Sequence, residues 1–481
     1  MNKKQVYAYR TLGIVLTVLA AAGLTGCPRN SLVLKVAKLL IEHNATAEDT
    51  GFQGFADGDP WNDLEIRGPG GERILRVDAG GGLFDFGLTE LFFETSEPPN
   101  AEIPIEDVLA HLSEGEHVFT GNIVDGRNSS ITATLQHDIP AGPILLTPAD
   151  GSTGLDPNNV VVSWGTVSED IDGSAINIVG YEVIVEEDAE PLFPQGFARP
   201  VLSVHVPASV TSMTVPVGFL EDDACYLFEV LAIEETGNQT LSSGAFETGV
   251  GCGSKGPKGE DTPRLTAAKL LIEHNATDED TGFQGFADGD PWNQLTIAGP
   301  DNEPIVTVNP DGGLLNFGLT ELFFETSEPA NAEVPIEEVL ARLPEGTYTF
   351  TGDIVGAGES MLTATLTHDI PAGPVLTSPA DGADDVDPDN VVVAWEEVTT
   401  DIDGSEDITV VGYQVIVELD EEPEFPQGFA RPVFNIYLPA TARSVAVPTE
   451  FIESGAPYKY EVLAIEESGN QTLSSAVFST R

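Results

Sequence analysis

Positive charge is scarce in this chain: 20 Lys and Arg stand against 79 Asp and Glu among 481 residues, a formal net charge of −59. Nucleic acid is excluded as a partner, because no basic footprint exists to neutralise phosphates. Apolar residues make up 41% of the chain, enough to build cores, so the charge reads as a solvated surface and not as disorder. Such a surface repels anionic membranes and glycans and attracts divalent cations. Catalytic signatures are missing too. There is no Gly-x-Ser-x-Gly elbow, no His-Glu-x-x-His pair, no phosphate-cradling loop and no Arg-Gly-Asp. The seven histidines are scattered, and paired carboxylates are too common for a glycosidase-like pair to stand out. No catalytic residue is assigned, and the chain reads as a non-enzyme.

Long apolar runs are equally lacking. The one candidate, Leu12–Gly23, is shorter than the ~20 residues of a spanning helix and follows a basic start with Lys3, Lys4 and Arg10. This pattern describes a secretory signal peptide over residues 1–26. Its end, Leu24-Thr25-Gly26-Cys27, resembles the lipobox of bacterial lipoproteins. The resemblance implies cleavage before Cys27, acylation there, and a stable membrane anchor built from two or more acyl chains. An ordinary signal peptide ending near a cysteine is the alternative. Pro28 at the second mature position gives no signal for inner-membrane retention, so the expected address is the cell envelope, the outer membrane of a Gram-negative bacterium.

What is present is a repeat. Leu39–Pro148 recurs as Leu270–Pro379 at an offset of 231, and the match continues at 232 to the C-terminus. Each unit has the length of two domains. The Gly- and Pro-rich stretch 249–264 reads as a linker. In the second half of each unit, short runs such as Ile178–Glu186 and Tyr226–Glu235 alternate with period two between turn signals, which predicts a β-sandwich. Trp164, Tyr181 and Tyr226-x-x-x-Val230-x-Ala232, repeated as Trp395, Tyr413 and Tyr458-x-x-x-Val462-x-Ala464, resemble fibronectin type III domains. The resemblance covers 142–248 and 373–481 and implies a Tyr-corner role for Tyr226 and Tyr458. Two cysteines remain beside Cys27. Antiparallel pairing of the strands that Cys225 precedes and Cys252 follows would place their sulfurs near one rung, and an exported context permits that disulfide. Pro457 stands at the second copy's equivalent of Cys225.

The first half of each unit, 27–141 and 265–372, reads as a jelly-roll-like β-sandwich with one short helix around Ile105–Leu112, Pro104 sitting in its first turn. The fold class is therefore all-β, with four sandwiches in two tandem units. The stretch EHNATAEDTGFQGFADGDPWN (42–62) recurs at 273–293 with one letter changed. Its pattern of Asn-Ala-Thr, an acidic pair, Gly, then Asp-Gly before Trp resembles a module of uncharacterised secreted bacterial proteins that carry type III domains; no activity comes with it. Its carboxylates and glycines suit calcium. The candidate ligands are Asn44, Asp49, Asp57 and Asp59, with Asn275, Asp280, Asp288 and Asp290 in the second unit. The bland reading is splayed carboxylates and turn caps. Asp170-Ile-Asp172-Gly173 is a second candidate, with an Asx turn as its ordinary explanation. Phe52, Phe55 and Trp61 suit either a sugar-stacking face or a core. His43 and His137 could meet across a sheet, although two separate polar strand ends are the commoner outcome. The expected function is non-catalytic binding or adhesion at the envelope, calcium-dependent and directed at glycan or protein. A passive spacer is the alternative, and an enzyme with an unrecognised site the remote one.

Overall fold

The computed structural model describes residues 32–188, 201–249, 262–420 and 433–481. The signal segment, Cys27 and Cys252 lie outside the described residues. In repeat 1 the first half forms β1 (Leu34–Asn44), β2 (Asp49–Arg67), β3 (Arg73–Ala79), β4 (Leu88–Thr95), β5 (Gly115–Ile123) and β6 (Asn128–Leu135). The second half forms β7 (Leu145–Thr147), β8 (Val161–Trp164), β9 (Ile178–Glu187), β10 (Val201–Pro207), β11 (Ser212–Thr214), β12 (Cys225–Glu234) and β13 (Gln239–Glu247). Repeat 2 opens with β14 (Leu265–Asn275), β15 (Asp280–Ala298), β16 (Pro304–Pro310), β17 (Leu319–Thr326), β18 (Gly346–Ile354) and β19 (Gly358–Leu366). It closes with β20 (Leu376–Ser378), β21 (Ala383–Val386), β22 (Val392–Trp395), β23 (Val410–Leu419), β24 (Val433–Pro439), β25 (Ser444–Ala446), β26 (Pro457–Glu466) and β27 (Gln471–Thr480). The chain is all-β apart from single-turn helices such as α1 (Ile105–Leu109) and α2 (Ile336–Leu340). Pro104 caps α1 from outside its first turn, and the helix buries only Val108.

The second half of repeat 1 is a seven-strand sandwich, β7–β8–β11 facing β10–β9–β12–β13. Alternation explains it. Tyr226, Phe228, Val230 and Ala232 on β12 enter the core with Trp164 and Tyr181, while Leu227, Glu229 and Leu231 turn the other way. The Tyr corner forms as the type III resemblance implies: Tyr226 Oη accepts from Glu221 N at 2.7 Å, and Tyr458 Oη from Glu453 N at 2.6 Å. Cys225 is disulfide-bonded.

The repeats do not follow one another as separate beads. They clasp about a pseudo-two-fold axis. Strand β3 pairs antiparallel with β16, β4 with β17, and β10 with β24. Each seam is centred on equivalent residues, Val77 opposite Val308, Phe92 opposite Phe323, and Ser203 opposite Asn435. Such self-matching registers are the mark of an isologous interface, here made within one chain. The halves of the two repeats share their cores in pairs. One core joins the first halves of both repeats, and the other joins both type III-like halves.

Two closed rings result, and closure removes exposed strand edges. The smaller runs β2–β3–β16–β15–β17–β4 and returns to β2, around an apolar core that includes Leu91, Phe93, Leu322 and Phe324. The larger has 14 strands. It passes from β1 through β2, β4, β17, β15 and β14, then through β27, β26, β23, β24, β10, β9, β12 and β13 back to β1. Strands β2 and β15 serve both rings because each bends. In β2 the bend falls between Asp57 and Trp61, at Pro60, where the chain leaves β4 for β3 and β5.

Candidate functional site

The recurring stretch is the end of one strand, a turn and a long second strand, a β-hairpin. From Asp49 onward it is strand β2, lying antiparallel on β1 with Asn44 opposite Asp49 and Val36 opposite Asp57. Those two rungs are eight residues apart along β2, about 26 Å at ~3.3 Å per residue. The four candidate ligands of each repeat thus divide between the two ends of the hairpin and are not brought together. Calcium needs all its oxygens within about 2.6 Å of one point, so one ion shared by Asn44, Asp49, Asp57 and Asp59 is incompatible with this geometry.

Several of these residues have local roles instead. Asn44 Oδ1 accepts from the backbone of Thr46 and Ala47, closing the turn, as Asn275 Oδ1 does for Thr277 and Asp278. Asp59 Oδ2 accepts from Val33 N and its other oxygen pairs with Lys35 at 3.1 Å; Asp290 accepts from Arg264 N. Asp288 accepts from Thr266 Oγ1, and burial raises its pKa to about 6, as it does for Asp280. Asp170 Oδ1 accepts from Asp172 N and Ser174 N, the Asx-turn arrangement. Among the described residues, no group of three or more His, Cys, Asp or Glu is placed to hold a metal ion.

Two of the three aromatics are core, and Phe55 is half-buried against the Phe92 cluster. Trp61 and Phe52 are 0% exposed, as are Trp292 and Phe283, which leaves no sugar-stacking face there. His43 Nδ1 bonds Thr50 Oγ1, and His137 Nε2 bonds Leu112 O. The two histidines serve separate partners.

The chemistry that sequence reading missed lies inside the larger ring. Across its six first-half strands one row of directly opposed residues reads Lys38, Phe55, Phe92, Phe323, Phe286, Lys269. The ammonium of Lys38 stands 5.2 Å over the Phe55 ring, and that of Lys269 4.9 Å over Phe286. A row of acids flanks the phenylalanines on each side. Asp57 faces Glu90, and Glu90 faces Glu325; on the other side Glu94 faces Glu321, and Glu321 faces Asp288. Amides bind part of this charge. Gln53 donates to Glu42 and Glu94, Gln239 to Glu42, Gln284 to Glu325, and Gln471 to Glu273.

Burial dominates the electrostatics. It pushes Glu90, Glu321 and Glu325 well above the usual carboxylate range, with neighbouring acids adding to it, and raises Glu273 to about 7. It lowers the Lys38 amine to about 8 and that of Lys269 to about 7, against the pull of Glu90 and Glu321 respectively. The signal was present in Leu-Thr-Glu-Leu-Phe-Phe-Glu-Thr (88–95 and 319–326). Glu90, Phe92 and Glu94 alternate with Leu91 and Phe93, so a strand with two buried faces must bury its glutamates.

No family model and no curated protein matches the chain. Among solved structures, chicken CNTN1 domains FN1–FN3 align at 12% identity over 71% of this chain and 99% of that one, with a TM-score of 0.19. A tetra-tandem repeat from the extending region of a large adhesion protein aligns at 13% identity over 93% and 100%, with a TM-score of 0.17. A segment of a 1.5-MDa bacterial ice-binding adhesin aligns at 13% identity over 72% and 99%, with a TM-score of 0.16. At such scores the likenesses carry no argument about this chain.

Proposed function

We propose that the protein is a non-catalytic module of the bacterial cell envelope, tethered through acylated Cys27, whose clasped repeats form one compact structural body. The observation that supports this reading is the fate of the recurring stretch. Its aromatics, Glu42 and Asp57 are spent on the two ring interiors, and both copies do the same work on either side of one pseudo-two-fold axis. A calcium-dependent glycan receptor needs exposed aromatics beside an open acidic loop, and the Phe52 and Trp61 rings of this hairpin are buried.

A glycan array probed with the mature protein in millimolar calcium and in EDTA tests the choice. The structural reading expects no calcium-dependent signal; a sugar bound only with calcium overturns it. The tether has its own test. Cys27→Ala should abolish palmitate incorporation and release the protein from membranes, since no helix among the described residues is long and apolar enough to cross one. Continued labelling of the variant sinks the tether.

A further inference from the structure

The β4–β17 seam joins the two repeats at their pseudo-two-fold axis, and it does so with acids opposed to acids. Glu90 stands opposite Glu325, and Glu94 opposite Glu321, on either side of the Phe92–Phe323 rung. All four are at most 6% exposed. Directly opposed side chains on antiparallel strands have Cβ atoms about 5 Å apart, where like charges destabilise the pairing. Oε1 of Glu90 and Oε1 of Glu321 are buried and accept no hydrogen bond. A buried carboxylate without a donor or water to solvate it takes up a proton.

We propose that this seam is a proton-dependent clasp: the pairs Glu90–Glu325 and Glu94–Glu321 hold the repeats together while they carry protons and force them apart once ionised.

The surroundings reinforce this. From the same layer, Glu42 and Lys38 on β1, Asp57 on β2, Lys269 and Glu273 on β14, and Asp280 and Asp288 on β15 face the same interior, with Glu97 and Glu328 just past β4 and β17. From the covering layer come Glu182 and Glu186 on β9, His205 on β10, Glu229 on β12, Glu418 on β23, Tyr437 on β24, and Lys459 and Glu461 on β26. Lys459 pairs with Glu461 at 2.6 Å, and His205 lies 3.3 Å from Glu182. Lys38 and Lys269 sit over Phe55 and Phe286, within the pull of Glu90 and Glu321 respectively. Ionising the four seam acids therefore adds more negative charge than these two lysines can offset.

The direction of the pH effect follows. Glu90, Glu321 and Glu325 hold their protons above the unfolded value of about 4.3. The folded state then binds more protons than the unfolded one, so stability is full below that value and falls as pH rises through the folded pKa values. The buried lysines act oppositely, because their lowered pKa values add stability as pH rises above 7 to 8.

Hydrogen exchange on the intact mature chain between pH 5 and pH 9, corrected for intrinsic rates, reads the seam directly. The β10–β24 seam, centred on Ser203 and Asn435, is the internal control. Protection of β4 and β17 amides should fall by about tenfold relative to β10 and β24, and Glu90→Gln/Glu321→Gln should remove most of that fall. If that variant fails to fold, Glu94→Gln/Glu325→Gln neutralises the other member of each pair and makes the same prediction. Parallel behaviour of the two seams, or a fall that persists in the neutral variants, overturns the clasp.

Discussion

At the scale of the residue, the clasp depends on glycines that admit the other repeat's backbone. A Cβ on Gly82 would lie 1.9 Å from Arg342 O, and one on Gly313 would lie 1.7 Å from His111 O. These contacts cross between repeats, and the obstacle is a carbonyl that no rotamer change can move. Around them, His111 stacks on Phe317 at 4.1 Å between ring centroids, and the Arg342 guanidinium covers Phe86. Overpacking costs about 1–3 kcal/mol in ordinary cores, and backbone obstruction belongs at the upper end. Gly82→Ala or Gly313→Ala should therefore lower the thermal midpoint by several degrees. Gly71 (φ 84°) and Gly126 (φ 86°), in turns elsewhere, have nothing within 4 Å of an added Cβ. Their positive φ makes them strain-only controls, and Gly71→Ala should cost less. Calorimetry on the four variants checks the order; equal losses would remove the close-approach argument.

At the scale of the element, strands were legible wherever one face is buried and the other wet, because alternation then shows directly. The type III-like strands were readable for that reason, and so was the Tyr corner. Removing the hydroxyl in Tyr226→Phe leaves the ring's stacking on Phe246 intact and deletes only the bond from Glu221 N. Since Glu221 is exposed and its N–H can turn to water, the cost should stay near about 1 kcal/mol, seen as a shift of the urea midpoint at constant slope. A loss near zero would show the corner to be dispensable here. Strand β2 was illegible by the same logic. Both its faces are buried, so Gln53, Phe55 and Asp57 turn toward one ring while Phe52 and Ala56 turn toward the other, and polarity no longer marks the outside. Its glycines imitate turn signals but exist for close approach. The Phe93 ring comes within 2.2 Å of where a Gly54 Cβ would be, and Leu34 Cα within 2.6 Å for Gly58. A local reading assigns the carboxylates of such a stretch to a metal. The rings that bury it are closed by strands of the other repeat, more than 200 positions away.

At the scale of the whole molecule, the repeat itself was plain in the sequence, while its consequence was not, because duplication is equally compatible with a string of beads and with a fused dimer. The registers decide. Three seams pair equivalent residues, and both hydrophobic cores draw on both repeats. A linker that only tethers the halves is then unnecessary once they have folded. Placing a protease site within 253–261, beyond Cys252, and cutting the folded chain at pH 6 should leave two fragments that elute together at the mass of the intact protein. The rings hold them through main-chain ladders at β3–β16, β4–β17 and β10–β24, and the cores remain closed. Dilution should not separate them on the timescale of chromatography, because release requires opening all three seams and exposing residues such as Leu91, Phe93, Leu322 and Phe324 together. Two half-mass species after cleavage would show that the repeats are independent beads and would take the fused-dimer reading with them. Fragments that stay together at pH 6 and part at pH 9 would place the weakness at the acid-paired seam, since neither of the other two seams opposes carboxylate to carboxylate.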